Sequence, residues 1–354
     1  MKGIQKYITY VVAGIFIPLI GLFAGTMTEN GVTWRYQISN NAVEITGVDG
    51  SALGALIIPS TIEGLPVASI GDSAFMGSML TSVEIGGNVT SIGDYAFWAC
   101  SSLTNVTILD GVTSIGDCAF QYCEKLTSIA IPSSVTSIGD AAFFGSGSRE
   151  KVHICDITKW CNIYFGDSYS NPIHYGSDLY LNGEKIVDLV IPNGVTNIAP
   201  YAFYSCKSIA SITMPDSLIS VGEDAFYDCS GITSIMIPGN VTVIGDNAFS
   251  GCSSLNIVYI PTGCTVDKFS FVGKHIVRYK PRIFVSLDTN GGCLEQTIFE
   301  RQFHSVYGTM PIPSRIGFVF NGWYFNGERV SDETKVEALD DHILIAQWTP
   351  NRYQ

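Results

Sequence analysis

VTSIGDYAF at 89–97, VTSIGDCAF at 112–120, VTSIGDAAF at 135–143 and VTVIGDNAF at 241–249 are one phrase written four times. Looser copies stand at 67–75 (VASIGDSAF), 195–203 (VTNIAPYAF) and 218–226 (LISVGEDAF). A fixed period of this length marks a solenoid, in which a single coil cannot bury its apolar face and stability comes from stacking. Stacked coils expose long faces, so the pattern points toward recognition of a partner.

Each coil carries a short strand whose first inward residue is, in turn, Leu56, Val83, Val106, Ile129, Val152, Leu189, Ile212, Ile235 and Val258. The steps are 27, 23, 23, 23, 37, 23, 23 and 23 residues, so one coil is enlarged and the rest are regular. These nine strands predict one continuous parallel ladder roughly 40 Å long at about 4.8 Å per strand, with 156–186 bulging from it. Val277 in HIVRY adds a candidate tenth strand. Prolines such as Pro132, Pro215 and Pro238 end the strands, where pairing stops. Gly93, Gly116 and Gly139 suit a tight turn. Asp94, Asp117 and Asp140 suit caps for a short helical turn carrying Ala-Phe. Phe75, Phe97, Phe120, Phe143, Phe203, Phe226 and Phe249 are expected to stack as a core column.

The 354 residues carry a net charge of −13 with only 14% charged residues. That acidity, with no Lys/Arg cluster, argues against a nucleic-acid partner, whose phosphates need a basic face. Residues 1–25 read as an export segment: Lys2 and Lys6, then an uncharged apolar run from Tyr7 to Phe23, then the small residues Ala24-Gly25-Thr26. The segment is either a cleaved signal or a retained N-terminal anchor, and the latter is the one expected contact with a membrane. The alternating segment 31–54 is expected to form a strand pair within an N-terminal β cap over 29–54. Cys100, Cys123, Cys206, Cys229 and Cys252 all follow the repeat phenylalanine by three residues, and Ser78 and Ser146 fill the same slot. A slot that takes Cys or Ser asks for a small buried side chain. Stacked equivalent cysteines point in parallel and suit a disulfide poorly, so free thiols are expected there. Cys155 and Cys161 are the better disulfide candidates.

The 23-residue unit with IGxxAFxxC resembles the BspA-like leucine-rich repeats of bacterial and protist surface proteins, over about 55–280. The enlarged coil, DITKWCNIYFGDSYSNPIHYGSDLYLNGEKIVDLVIP at 156–192, resembles an insertion that recurs in such arrays. From its residues, Asp156 caps a short helix through Trp160 and Asn182-Gly183 turns a hairpin. After Pro281 the period stops. VSLDTNGG at 285–292, IGFVFNGWYFNGERV at 316–330 and HILIAQW at 342–348 resemble one internalin-type B-repeat over about 283–348. That resemblance implies a small β-grasp-like module used as a stalk or contact element. Asn290-Gly291 and Asn326-Gly327 read as its hairpin turns, and Trp323 and Trp348 as its core. The fold class is therefore a β-rich solenoid of the right-handed leucine-rich-repeat type with a terminal β-grasp-like module.

Catalytic chemistry is sparse. His153, His174, His275, His304 and His342 are scattered, and no HExxH, Cys-x-x-Cys, GxSxG or strand-linked GxGxxG occurs. The aspartate column offers one carboxylate per coil, too few for Ca²⁺. No cofactor and no metal site is expected, and the chain is read as non-enzymatic. The expected function is recognition or adhesion, as an exported protein at a cell surface or outside the cell, with a protein or glycan partner. A structural spacer of the cell envelope is the alternative, and a secreted enzyme with a site in the enlarged coil is a further one. The candidate contact residues are outward positions of the strand face: Glu84, Thr107, Asp188, Thr213, Met236, Ile257 and Tyr259. The apolar later rows, ending at Met236, Ile257 and Tyr259, are favoured as anchors, against the alternative that Ile257 and Tyr259 pack on the last coil or the following module. The outer aromatics Trp98, Phe144, Tyr204 and Tyr227 are the next candidates.

Overall fold

The computed structural model describes residues 23–50, 53–147, 151–174 and 176–351. Most of the expected export segment, 1–22, lies outside them. No helix of the described residues is long and apolar enough to cross a membrane. The chain divides into two compact units. One runs to Ile186 and takes in Tyr201–Lys207, and the other holds Val187–Pro200 and Ser208 onward.

The first unit is a coil stack with two parallel ladders. On one side Leu56 pairs Val83, Val83 pairs Val106, Val106 pairs Ile129 and Ile129 pairs Val152, as the 23-residue spacing requires. These residues are buried because they occupy alternate positions of strands whose other face is polar. On the other side the two-residue strands Ser91–Ile92, Ser114–Ile115 and Ser137–Ile138 pair in register and bury their isoleucines. At the N-terminal end, Phe23–Glu29, Val32–Ser39 and Ala42–Val48 form an antiparallel meander, and its last strand pairs in parallel with Leu65–Ile70. The first of these strands was not expected; its opening residues fall within the stretch read as export segment.

The ladder does not run on from Val152 to Leu189. Val152 pairs Leu179 instead, in the strand Asp178–Leu181, which then folds back on Glu184–Lys185. Asn182 and Gly183 both have positive φ, 51° and 89°, the conformation of a two-residue hairpin turn. The hairpin expected to bulge is therefore a rung of the ladder and its closing edge, and the 37-residue step contains one coil and an extra rung. The next strand, Asp188–Val190, pairs Ser211–Thr213 in a separate sheet. The short helix Ile157–Trp160 forms as expected, with Lys159 N–H donating to Asp156 Oδ1 at 3.1 Å.

The Asp-x-Ala-Phe segments are not helical. Tyr95 and Ala99 have φ of 57° and 54°, and Cys118 and Tyr122 of 53° and 59°. This alternation turns every second N–H out of its own coil. Tyr95, Phe97 and Ala99 donate to the carbonyls of Asp117, Ala119 and Gln121 at 2.7–2.8 Å. The aspartates cap the neighbouring coil and not their own: the N–H of Asp94, Asp117 and Asp140 donates to Oδ1 of Asp72, Asp94 and Asp117. Gly93, Gly116 and Gly139 have no left-handed φ; a Cβ on Gly139 would lie 2.6 Å from the Asp117 nitrogen. Glycine is needed there because two backbones meet, not because the chain turns. Inside, the rings of Phe75, Phe97, Phe120 and Phe143 stack at 5.1–5.5 Å.

The second unit repeats these features. Ile235 pairs Val258, and Val258 pairs Ile276 in the strand His275–Tyr279, so the strand expected in HIVRY exists but Ile276 and not Val277 takes the rung. Phe226 and Phe249 stack at 5.1 Å, and Phe271 extends the column at 5.1 Å. Phe271 lies outside the repeat phrase because its coil reads VDKFSF. Beyond Pro281 a five-stranded sheet contains the parallel pair Arg282–Asp288 with His342–Pro350 and two flanking hairpins. Its core holds Tyr307, Trp323 and Leu344, with Trp348 packed beside them.

One charge in this unit is misplaced. Asp224 Oδ1 is buried with no hydrogen-bond partner among the described residues. Burial, then the charges of Glu223 and Asp246, push its carboxyl up to about 6. A pKa raised above the unfolded value favours the protonated fold, so stability is gained as pH falls through about 6 and lost above it. Asp224→Asn is expected to raise the melting temperature at pH 7.5, with the advantage shrinking by pH 4.5. Asn tolerates the positive φ at this position, and Asn247 holds the equivalent place one coil later. An advantage of equal size at both pH values would show that the charge is not its source.

Candidate functional site

The strand face of the first unit presents two rows of outward side chains. One contains Ser82, Asn105, Ser128, Lys151 and Asp178 as successive cross-strand neighbours. The other contains Glu84 beside Thr107, then Ala130, His153 and Tyr180. The early rungs are small and polar, and the last two are charged and aromatic. The His153 and Tyr180 rings lie 5.0 Å apart, Lys151 Nζ sits 5.7 Å from the Tyr180 centroid, and Lys185 pairs with Asp178 at 2.7 Å. Lys151, His153 and Tyr180 were absent from the expected contact set. Their signal was present in KVHI at 151–154, whose outward positions follow from the buried Val152. Tyr180 carries no such signal, because its strand lies in the segment expected to bulge.

The other expected contact residues lie in the second unit. Asp188 is exposed and accepts a hydrogen bond from Ser211, and Thr213 is exposed beside Val190. Met236 and Ile257 keep about two-fifths of their surface in solvent. Tyr259, the favoured anchor, packs instead within the unit. Its ring lies 6.0 Å from Phe303 and 5.9 Å from His304, against the core of the five-stranded sheet. A large aromatic next to a sheet edge is covered when the following strands supply an apolar surface, so the expected set loses its strongest anchor.

A second uncovered feature lies on the turn side of the first unit. Trp98, Tyr122, Phe144 and Tyr169 come from four successive coils and touch edge to face, with centroids 5.9, 5.6 and 4.8 Å apart. Tyr169 touches His174 in turn, and His174 stacks near Tyr204. Burial holds the His174 imidazole below its ordinary range. Tyr122 lies over Gly145, where a Cβ would come within 2.5 Å of the ring. Trp98 and Phe144 directly follow the repeat phenylalanine and are legible in the sequence; Tyr122 and Tyr169 break the repeat phase.

The cysteine column is part of the scaffold. Sγ of Cys100, Cys123 and Cys252 donates to the carbonyls of Phe75, Phe97 and Phe226 at 3.1–3.3 Å, and Ser146 Oγ does the same to Phe120. The slot therefore favours a small donor, and Cys or Ser fills it after each of the seven phenylalanines from Phe75 to Phe249. Burial pushes the Cys252 and Cys161 thiols up to about 12, so almost no thiolate forms there at neutral pH. Cys155 is exposed while Cys161 is buried, and the two do not form the disulfide considered for them. Iodoacetamide at pH 8 is expected to label Cys155 and Cys293 in the native protein, and Cys100, Cys161 and Cys252 only after denaturation. A Cys100–Cys123 bridge in a non-reduced peptide map would contradict this arrangement.

The hollow beside Asp156, Lys159 and Trp160 measures about 10 Å³, the space of one water. Polar groups of the enlarged coil are committed to structure: Asp156 caps the helix, Trp160 Nε1 donates to the Ala202 carbonyl, and Asn171 Nδ2 donates to the carbonyls of Tyr201 and Ala202. No group of three His, Cys, Asp or Glu residues among the described residues is placed to hold a metal.

The model of the BspA type leucine rich repeat region matches residues 50–171 and 174–281, in six copies. A leucine-rich repeat protein of Bacteroides ovatus is similar in structure, with 25% identity over 74% of this chain and 72% of its own, and a TM-score of 0.46. The leucine rich repeat protein of T. pallidum shares 27% identity over 63% of this chain and 87% of its own, with a TM-score of 0.39. A leucine rich cell surface protein of Faecalibacterium prausnitzii shares 23% over 72% and 94%, with a TM-score of 0.29. No curated protein matches the chain. With its coils matched over more than half of its length and its phenylalanine column in place, the chain belongs to the BspA type leucine-rich repeat family.

Proposed function

We propose that this is an exported, non-enzymatic recognition protein of the cell surface or the extracellular space, which binds a protein partner through the strand face of its first unit. The observation that carries this reading is the uncovered pair of rungs Lys151, His153, Asp178 and Tyr180, where cation, imidazole, carboxylate and aromatic ring converge on otherwise small polar rows. Such a mixture supplies an aromatic anchor ringed by polar groups, the composition of interface hot spots. The family assignment and the cell-surface description of one similar protein support it. The apolar run before Phe23 supplies the export route in this reading. The sheet from Arg282 to Pro350 is read as a B-repeat-like, β-grasp-like stalk or contact module, supported by its parallel central pair and by the Asn290-Gly291 and Asn326-Gly327 turns.

Residues 26–354 would be screened against arrays of matrix proteins, cell-surface proteins and glycans. A protein hit that Tyr180→Ala weakens by about tenfold, at an unchanged melting temperature, is the expected result. Binding that survives Tyr180→Ala and Lys151→Ala, or binding to glycans alone, removes the strand face as the protein-binding site.

A further inference from the structure

The turn-side rings call for a separate explanation. The Phe75–Phe143 column already fills the core, so Trp98, Tyr122, Phe144 and Tyr169 form a second aromatic line outside it. Tyr122 and Tyr169 are 39% and 38% exposed, and neither hydroxyl has a hydrogen-bond partner among the described residues. An aromatic line that only packed the coils would bury its rings, as the inner column does.

The same four coils carry Asp94, Asp117, Asp140 and Asp167, each a few residues before its ring. Tyr169 N–H donates to Asp167 Oδ1 at 2.9 Å, and Asp94, Asp117 and Asp140, linked coil to coil through N–H to Oδ1 bonds, open the turn segments that lead to Trp98, Tyr122 and Phe144. Among the described residues no lysine or arginine pairs with any of the four. Each turn segment of the strip therefore supplies one aromatic ring and one carboxylate without a cationic side-chain partner among the described residues.

Spacing narrows the occupant. Successive coils lie about 4.8 Å apart, so every second coil repeats at about 9.6 Å. A polyproline II helix repeats every three residues over about 9.3 Å, whereas alternate residues of an extended strand are only about 6.8 Å apart. Prolines of such a helix pack on aromatic strips with little ordering cost. Arginine at every third position would place a guanidinium against every second carboxylate and ring. We infer that the turn-side edge of the first unit binds a basic, proline-rich segment of a partner protein in the polyproline II conformation, along Trp98, Tyr122, Phe144 and Tyr169. This rests on reading the coils as a partner-binding array, and it places the contact on a different face from Tyr180.

The test uses residues 26–354 and a fluorescein-labelled peptide of five Pro-Pro-Arg repeats, followed by fluorescence anisotropy. Matched peptides of five Pro-Pro-Glu and five Gly-Gly-Arg repeats serve as probes of charge and conformation. The arginine–proline peptide is expected to bind, the glutamate peptide not to bind, and the glycine peptide to bind at least about fivefold more weakly. Tyr122→Ala with Tyr169→Ala should weaken binding by about tenfold or more. Asp94→Asn with Asp117→Asn should do the same and flatten the salt dependence; Asn keeps the Oδ1 that the next coil's N–H requires, so this pair tests the proposal even where the ring variant fails to fold. Tyr180→Ala should leave peptide binding unchanged. Absence of peptide binding, equal binding of the glutamate peptide, indifference to both double variants, or binding of a hexasaccharide at these rings in place of the peptide would overturn the inference. A protein partner that is lost with Tyr180→Ala while no peptide binds would leave the broader reading standing and remove this one alone.

Discussion

Phe120→Ala is expected to destabilise the protein by about 3–5 kcal/mol, the usual cost of deleting a fully buried ring. Phe120 is completely buried and lies between Phe97 at 5.1 Å and Phe143 at 5.5 Å, with nearly parallel planes. Its backbone cannot collapse into the void, because the Phe120 N–H and carbonyl are bonded to the Ala142 carbonyl and to Ser146 Oγ on the next coil. Each coil is stabilised chiefly by its neighbours, so a cavity in mid-stack also weakens two coil interfaces at once. Urea unfolding followed by circular dichroism measures the effect. An unchanged midpoint would mean that the column does not carry the core; Phe120→Leu, which refills most of the space, should recover part of the loss.

Gly139→Ala should cost about 3 kcal/mol, at the upper end for overpacking. The added methyl would stand 2.2 Å from Asp117 Oδ1, 2.6 Å from the Asp117 nitrogen and 2.8 Å from the Gly116 carbonyl carbon. The side-chain oxygen accepts from the Asp140 N–H, and the backbone there is tied to the preceding coil, Asp117 N–H donating to Asp94 Oδ1 and Gly116 N–H to the Ile92 carbonyl. Gly263→Ala is the matched control, since that glycine has no left-handed φ and nothing within 4 Å of its Cβ position. The control should shift stability by less than about 0.5 kcal/mol. Equal melting temperatures for the two variants would refute close coil approach as the reason for the repeat glycine.

The candidate sites were legible to different degrees. Glu84 and Thr107 stand where alternation placed them, because a strand has only two faces. Tyr259 reads as an outward aromatic by the same rule, yet it is covered by Phe303, which lies 44 residues further on and belongs to no repeat. Lys151, His153 and Tyr180 become one patch only when Leu179 is seen to pair with Val152 across the enlarged coil. Tyr122 and Tyr169 occupy different repeat positions from Trp98 and Phe144, so no periodic reading aligns them. Their rings meet because Tyr122 reaches across Gly145 of the following coil.

What the sequence by itself determined is the solenoid, its period, its buried rungs and its phenylalanine column. Those features follow from hydrophobic side chains recurring at a fixed interval, and every coil states them again. What only the tertiary structure decided is how coils meet. Asp94 caps the next coil and not its own, Gly139 yields to a neighbouring backbone, the cysteines donate to carbonyls one coil back, and the ladder takes Leu179 before it ends. Each of these depends on distances of a few ångströms between residues some 20 or more positions apart, which a repeat pattern fixes in kind but not in geometry.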